Sequence, residues 1–261
     1  MRIELGNGVD IIGDIHACFD EFMTLLEKLG YQPNEEGFYV HPAGRKILSL
    51  GDVMSRGPQS IKTMQFFLNH IEKGYAYMID SNHGWKIARW LDGRKVQLRH
   101  GDENVAEEFK QFEEEHGEKK TKELKMKLRT LLMDSPSHYI ITDKGQDKVV
   151  CTHAGIKDEY IGRENSRIKD FCRYGDVAGM DEKGKPIRRD WFNDHKGNLI
   201  IVWGHDPKRE PMVKNNTINI DQGAVFGGKL TCLRYPEREF VFVPALKNYS
   251  GKIGTDNPIG I

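Results

Sequence analysis

Aspartate, asparagine and histidine side chains recur directly after short apolar segments along the 261-residue chain. A lone histidine beside a glycine is more often structural than metal-bound, but five such positions in order favour a shared site. Carboxylate, amide and imidazole groups are ligands for divalent metals, so the chemistry expected is that of a metal centre. The five positions are Gly13-Asp14-Ile15-His16, Gly51-Asp52, Asn82-His83, Thr152-His153-Ala154-Gly155 and Gly204-His205.

The segments before these residues have the patterns of strands and helices that alternate. VDIIGD, RKILSLGD and YAYMIDSNHG are short apolar runs that end in polar turns, and they predict three strands. Between them, FDEFMTLLEKLG and PQSIKTMQFFLNHIEKG carry apolar residues at helical spacing, and Pro58 is expected to start the second helix. This order predicts an α/β fold with functional residues on the loops that follow strands.

The remainder of the chain divides into a charged segment, a strand-rich half and a tail. Residues 103–133 are dense in charges of both signs and predict an insertion of one or two surface helices, interrupted near Gly117. Six later segments, from SHYIIT to EFVFVP, predict strands. Residues 247–261 are rich in glycine and proline and predict an irregular tail. Because no linker separates the two halves, we expect a single domain over residues 1–261.

The overall charge excludes some classes of protein. The 39 basic and 39 acidic residues cancel, whereas proteins that coat long nucleic acids usually carry a basic excess.

No apolar run approaches the roughly 20 residues of a membrane helix, and the first residues lack the pattern of an export signal. Four scattered cysteines without a CxxC pair favour free thiols, so we expect a cytoplasmic protein.

The motifs, taken together, resemble a known family. GDIHACFDE, GDVMSRGP, SNHGWK, THAGI and WGHDP stand in the order of GDxHG, GDxxDRG, GNH[DE], His-[AG]-Gly and a GHT-like motif in calcineurin-like metallophosphoesterases. The likeness spans Val9 to Arg238. Within the family, RIKDFCRYGDVAG, GKPIRRDWF and NNTINIDQGAVFGGKLTCLRYPE resemble the PrpE-type bis(5'-nucleosyl)-tetraphosphatase and protein phosphatase group. The phosphatase domain of bacterial RNA-repair polynucleotide kinases is also similar.

The resemblance implies a sandwich of two mixed β-sheets flanked by helices, with a dinuclear metal site. Manganese is the first choice, with nickel, iron, zinc and cobalt as alternatives. A hydroxide shared by the two ions would attack phosphorus. By the motif match, Asp14 and His16 bind the first metal, Asp52 bridges both and counts as catalytic, and Asn82, His153 and His205 complete the second.

The resemblance also implies roles around the metals. His83 would be the general acid that protonates the leaving oxygen, or would stabilise the charge there, and Arg56 would bind phosphate oxygens through its planar fork. Lys86 lies one helical turn after Asn82-His83 and is a candidate substrate contact. Arg188 and Arg189 form a second candidate clamp, with an ordinary surface ion pair as an equal alternative.

Four positions depart from the family pattern. Ser55 stands where GDxxDRG has its second aspartate, which in the family pairs with the histidine of the third motif. We therefore expect His83 to lack a carboxylate partner. Ala17 and Ser81 replace glycines and would cost stability wherever the backbone needs a positive φ. Asp206 replaces a threonine and adds a negative charge that could contact metal or repel substrate.

Several histidines lie outside the motifs. His70, His116 and His195 are in charged or polar contexts and are expected at the surface. His41 and His138 border strands and are expected to have structural roles.

Three hypotheses of function follow. The first is hydrolysis of dinucleoside polyphosphates such as diadenosine tetraphosphate, with a small phosphorylated nucleotide as the substrate. The second is another phosphatase activity, on Ser, Thr or Tyr phosphate of phosphoproteins or on polynucleotide ends, although long nucleic acids fit the neutral charge poorly. The third, from another class, is a catalytically weakened regulator that binds metal or nucleotide, which the departures at Ser55, Ala17 and Ser81 motivate.

Overall fold

The computed structural model describes residues 1–182, 184, 186–253 and 256–260. Residues 254, 255 and 261 of the expected tail lie outside this range. Within the described residues the helices are α1 (Phe19–Leu29), α2 (Ser60–Glu72), α3 (Asn82–Leu91), α4 (Glu103–His116), α5 (Glu118–Asp134) and α6 (Ser166–Tyr174). The strands are β1 (Arg2–Glu4), β2 (Val9–Ile12), β3 (Gln32–Pro33), β4 (Tyr39–Val40), β5 (Lys46–Ser49), β6 (Ala76–Met78), β7 (His138–Asp143), β8 (Gln146–Thr152), β9 (Asp176–Met180), β10 (Pro186–Arg189), β11 (Ile200–Trp203), β12 (Met212–Lys214), β13 (Thr217–Asn219), β14 (Asp221–Gln222), β15 (Lys229–Tyr235) and β16 (Glu239–Pro244).

Two six-stranded mixed sheets form the centre of the fold, as the resemblance implied. One sheet has the order β1-β7-β8-β11-β13-β12. In the other, β15 pairs with β16 along one side and with β14 and β2 along the opposite side, and β5 and β6 follow β2. The strands β2, β5 and β6 are parallel, and so are β8 and β11. The α/β prediction is confirmed.

Successive residues of the central strands pack into different layers. Val9 and Ile11 belong to the apolar cluster between the two sheets, whereas Ile12 belongs to the cluster under the helices. Val149 and Val150 divide in the same way on β8, with Val150 packed toward α6. Strands that are buried on both faces need apolar side chains in both directions, which explains their continuous apolar sequences.

The helices agree with most of the expected pattern. α1 ends at Gly30, whose φ of +95° is the left-handed conformation that glycine adopts without a Cβ clash. α2 begins at Ser60, so the prediction that Pro58 starts it was wrong by two residues. The charged insertion forms α4 and α5, broken at Gly117 as predicted.

Two histidines that were expected at the surface are buried. His70 stacks on Phe66 with ring centroids 3.7 Å apart. His195 is hydrogen-bonded to Asp158 and to the carbonyl of Leu199. His116 is exposed.

All four cysteines are buried free thiols. Of the helices in the described ranges, none is both long and apolar enough to cross a membrane.

A buried ion pair connects three strands of the second sheet. The guanidinium of Arg45 donates to Asp10 at 2.8 Å, and both side chains are almost fully buried. Asp10 also accepts from the Tyr31 hydroxyl at 2.9 Å and from Arg234 at 3.1 Å. Glu237 accepts from the outer side of Arg45. The network joins β2, the start of β5 and the end of β15.

We expect Arg45→Met to destabilise the protein by about 3–5 kcal/mol, because removal of one partner leaves buried charge uncompensated. Denaturant unfolding would measure this change. Arg2→Gln, which breaks the exposed pair with Asp147, is the control and should change the free energy of unfolding much less. Equal effects of the two substitutions would contradict the importance of burial.

Candidate metal centre

The five motifs meet because each of them follows a strand. Asp14 and His16 come after β2, Asp52 comes after β5, and Asn82 starts α3 directly beyond β6. His153 and His205 come after the parallel strands β8 and β11 in the other sheet. Parallel strands place their carboxyl ends at one edge, which is where open α/β sheets bind ligands.

Ligand atoms from four of these loops converge around His153. Its Nε2 lies 2.8 Å from Asn82 Oδ1, 3.1 Å from His205 Nδ1 and 3.5 Å from Asp52 Oδ2. The same oxygen of Asp52 lies 3.5 Å from His16 Nε2 on its other side. Asp52 therefore stands between two groups of ligand atoms, one with His16 and one with His153 and His205.

These separations fit metal coordination. Metal–nitrogen and metal–oxygen bonds of about 2.1 Å place neighbouring ligand atoms about 3 Å apart. The distances from His153 Nε2 to Asn82 and His205 match that spacing. The first group also includes His83. Asp14 belongs to neither group of ligand atoms in the described residues; both of its carboxylate oxygens accept from the backbone N–H of His205 at 3.2 Å.

Two histidines are held in the ring orientation that metal binding needs. Nδ1 of His16 is 3.2 Å from the carbonyl oxygen of Met54, and Nδ1 of His153 is 2.9 Å from that of Leu50. A carbonyl oxygen only accepts, so each Nδ1 carries the proton and each Nε2 has a free lone pair. In both residues, Nε2 is the atom that faces Asp52.

The loops that carry the ligands have strained backbones. His16, Asp52, Ser55, Arg56 and His205 all have φ between +44° and +72°. This conformation is unfavourable for residues other than glycine, and such strain concentrates at functional sites. The packing around the site overcomes that cost.

The two replaced glycines differ in their consequences. Ala17 has a φ of +58°, so its Cβ carries the expected strain. Ser81 is extended at φ −140°, and no such cost arises there. Its hydroxyl instead accepts from the backbone N–H of Gly84 at 3.1 Å, which caps α3, and from that of Asp52 at 3.0 Å.

The charges in the site call for a cation. Burial, then repulsion from Asp221 and Asp52, raises the pKa of Asp14 well above its usual value. Burial lowers the pKa of His16 to about 3, so this ligand is neutral and needs no deprotonation at neutral pH. Burial would also raise the pKa of Asp52, but its interactions with the neighbouring His153, His83 and His16 rings outweigh burial and lower that pKa.

Asp221 is a site residue that sequence reasoning missed. Burial, with smaller contributions from Asp206 and Asp52, raises its pKa to about 7. It lies close behind Asp14, since a Cβ added at Gly204 would touch both residues. The signal was present in the sequence, because Asp221 follows the short apolar strand β13 as the candidate ligands follow their strands.

One side of the centre is lined by Arg56 and His83. The Arg56 guanidinium lies over the Phe226 ring at 5.4 Å, and its Nη2 is 3.3 Å from His83 Nε2. Arg56 Nε is buried and has no hydrogen-bond partner among the described residues. A buried donor without a partner is costly, and a phosphate oxygen would satisfy it.

The other candidate substrate contacts lie in different places. Arg188, on the exposed strand β10, reaches the centre, with its Nη2 2.9 Å from His205 Nε2. Arg189 is the next residue of the same exposed strand. Lys86 donates to Asp102 at 2.6 Å. Asp206 is paired with Lys208 at 2.7 Å, which offsets the charge that its position adds.

His83 has a carboxylate partner after all. Its Nδ1 lies 2.5 Å from Oδ1 of Asp102, a residue whose side chain is fully buried. The expectation that the Ser55 substitution leaves His83 without a carboxylate is therefore wrong. Asp102 lies 19 residues after His83 in the chain, and no motif marked it.

Comparisons with known proteins agree with this geometry. The sequence model described as calcineurin-like phosphoesterase matches residues 9–241. The chain belongs to this family. The five motifs and the two mixed sheets are thus those of a metallophosphoesterase.

Curated relatives are similar over nearly their whole length. Asymmetrical bis(5'-nucleosyl)-tetraphosphatase PrpE of Anoxybacillus flavithermus is 43% identical over 244 residues, which cover 92% of this chain and 95% of the relative. The PrpE protein of the same name from Halalkalibacterium halodurans is 41% identical, covering 90% and 93%. A crystal structure of a proposed diadenosine tetraphosphatase has a TM-score of 0.62 at 19% identity, covers 94% of this chain and 98% of that chain, and shares the fold.

We expect Asn82→Ala to lower manganese affinity by at least about 10-fold, because Asn82 Oδ1 is one of the converging ligand atoms. Equilibrium dialysis with metal analysis would measure bound metal, and the rise in Tm on adding manganese should shrink in parallel. His116→Ala removes an exposed histidine of α4 and is the control. Unchanged stoichiometry and affinity in Asn82→Ala would exclude Asn82 as a ligand.

Asp221→Asn should change how the stability of the metal-free protein depends on pH. Between its ordinary pKa of 3.8 and the folded value of about 7, folded Asp221 holds a proton that the unfolded chain has lost. Its contribution to stability is therefore present at low pH and falls as pH rises through this window. Asparagine does not ionise, so the variant should gain stability relative to wild type as the pH rises from about 4 to about 7.

Urea unfolding of the chelator-treated proteins across that range would measure the difference. Added manganese should reverse it, because the carboxylate then faces a cation. A difference between the two proteins that stays constant with pH would contradict the assigned charge state.

Proposed function

We propose that this metallophosphoesterase hydrolyses a phosphoanhydride bond of dinucleoside polyphosphates such as diadenosine tetraphosphate, with two divalent ions, manganese first. The observation that carries the proposal is the shared position of Asp52 between two groups of ligand atoms, with Arg56 beside them. Relatives at 41% and 43% identity bear the name of asymmetrical bis(5'-nucleosyl)-tetraphosphatase and support this class of substrate.

The ligands of the two ions would be those that the motifs place together. Asp14 and His16 would hold one ion, Asn82, His153 and His205 would hold the other, and Asp52 would contribute to both. When bound, the ions supply the positive charge and the activated water that displacement at phosphorus requires. Nickel, iron, zinc and cobalt suit the same oxygen and nitrogen donors and are the alternatives to manganese.

The surrounding side chains orient the substrate. Arg56 binds the oxygens of the reacting phosphate through its planar fork, including the unpartnered Nε. His83 donates a proton from Nε2 to the oxygen of the leaving phosphate. Arg188 neutralises a further phosphate. Arg189, the next residue of the same strand, and Lys86, whose ammonium pairs with Asp102, are the remaining candidate contacts. Water adds across the P–O–P bond, so its hydroxyl stays on the attacked phosphorus and a proton goes to the leaving group.

The cellular setting follows from the thiols. Four buried, unpaired cysteines suit a reducing compartment, and we therefore place the enzyme in the cytoplasm. A small anionic nucleotide fits a protein of zero formal charge, because the metals supply the local positive field.

The test is hydrolysis of diadenosine tetraphosphate by purified protein after chelation and reconstitution with each metal. An asymmetrical cut yields ATP and AMP, whereas a symmetrical cut yields two ADP, and chromatography separates these outcomes. An aryl phosphate, a phosphoserine peptide and a 5'-phosphorylated oligonucleotide complete the panel. A preference for the peptide or the oligonucleotide would replace the proposed substrate, and nucleotide binding without turnover would favour a regulator.

Arg56→Ala should lower kcat/KM for diadenosine tetraphosphate by about 10²–10³-fold, because one preorganised donor to the reacting phosphate is lost. Bound manganese should stay unchanged, since Arg56 is not a ligand. Arg94→Ala, which removes an exposed arginine paired with Asp92, is the matched control. If the two variants have equal activity, Arg56 does not bind the reacting phosphate.

A further inference from the structure

Asp102 occupies a position in which its carboxylate would ordinarily cap a helix. It immediately precedes α4, and aspartate is among the preferred residues at that place. Its φ and ψ of −73° and −25° are helical, however, and its side chain caps nothing within the described part of the chain. The carboxylate points inward to α3 instead, where it is fully buried.

Both oxygens of Asp102 are used on α3. Oδ1 accepts from His83 Nδ1 at 2.5 Å, and Oδ2 accepts from Lys86 Nζ at 2.6 Å. His83 and Lys86 are three residues apart and therefore lie on the same face of the helix. Burial would raise the pKa of Asp102, but the hydrogen bonds and charges of His83 and Lys86 outweigh it and lower that pKa to about 2.

The loop that carries Asp102 is fastened to the turn that carries Arg56. The backbone N–H of Arg56 donates to the carbonyl of Gly101 at 2.9 Å, and Asn104 Nδ2 donates to the carbonyl of Arg56 at 2.9 Å. A Cβ at Gly101 would lie 2.5 Å from the Arg56 Cα, so the close approach requires glycine. Asp102 is thus fixed relative to Arg56 as well as to His83.

The residue that the family pattern would assign to His83 makes no such contact. Ser55 is fully buried, and its hydroxyl has no hydrogen-bond partner in the described residues. The carboxylate beside His83 therefore comes from Asp102 and not from this turn.

We propose that Asp102 is the positioning residue of His83 and does from a separate loop what the second aspartate of GDxxDRG does from position 55. The inference rests on the proposed function, since His83 is assigned there as the proton donor. Asp102 accepts a hydrogen bond from the Nδ1–H of His83. This bond fixes the ring so that Nε2 faces Arg56 and the leaving oxygen. Lys86 balances the second oxygen and acts through Asp102.

A double-mutant cycle tests this coupling with the manganese-loaded enzyme. Asp102→Asn should lower kcat for diadenosine tetraphosphate by about 10²-fold with little change in KM. In a His83→Asn background the same substitution should cost almost nothing, because its effect passes through that ring. An equal loss in both backgrounds overturns the proposal. A loss that disappears only in a Lys86→Met background also overturns it, since Asp102 would then act through Lys86.

Asp158→Asn is the matched control because Asp158 forms a similar carboxylate–imidazole bond with His195 outside the metal centre. It should leave kcat and bound manganese unchanged. Asp102→Asn should also leave bound manganese unchanged, and a loss of metal in that variant would overturn a pure positioning role. Ser55→Asp added to Asp102→Asn should restore part of kcat, because aspartate tolerates the φ of +72° at this turn better than most residues do.

A measurement on the metal-free protein separates this inference from the proposed function. Imidazole protons in short bonds to carboxylates give far-downfield proton NMR signals. Asp102→Asn and His83→Asn should remove one and the same signal, and Asp158→Asn should remove a different one. If the wild-type protein hydrolyses no substrate of the panel but these signals are lost as expected, the positioning contact stands while the proposed function fails. Survival of all signals in Asp102→Asn would overturn the contact itself.

Discussion

The buried carboxylate of Asp52 is the contact on which the arrangement of the site depends. One oxygen accepts from the backbone N–H of His83 at 3.2 Å, and the other faces His16 and His153. Its backbone carbonyl accepts from the N–H of His16 at 2.7 Å. A single residue thus connects the loops after β2, β5, β6 and β8. A charge with so little exposure is tolerated only where cations or strong donors surround it.

This constraint explains why the site needs two sheets. The first and second motifs come from one sheet, and the fourth and fifth come from the other. The apolar layer between the sheets, which includes Ile11, Leu48, Val149 and Val202, fixes the distance between their edges. Because protein interiors are close-packed, this layer also fixes the positions of the loops that carry the candidate ligands. The strained φ values of His16, Asp52 and His205 are kept by the same packing.

The sequence was sufficient for the residues that follow strands. An apolar strand has a local pattern, and its end fixes where the next polar residue lies, so the pattern alone predicted that Asp52 and His153 lie close together, and their side chains are 3.5 Å apart. The positions that were predicted wrongly are determined by contacts between segments that are distant in the sequence. α2 begins at Ser60 because the Glu108 carboxylate, 48 residues away, accepts from the N–H groups of Ser60 and Ile61 at 2.8 Å. A prediction of the start of α2 from the local sequence had only Pro58 as its signal.

The same reasoning applies to the start of the helical insertion. Three residues here lie close together in the chain, and each contacts an earlier part of it. Asp102 contacts His83, and Asn104 contacts Arg56. Glu108 contacts the first turn of α2. The beginning of this helical segment therefore contacts residues beside the candidate metal centre. What His83 requires is a negative oxygen near Nδ1, and electrostatics does not specify which loop provides it. A fold that holds two loops against α3 can lose the carboxylate from one and keep its effect from the other.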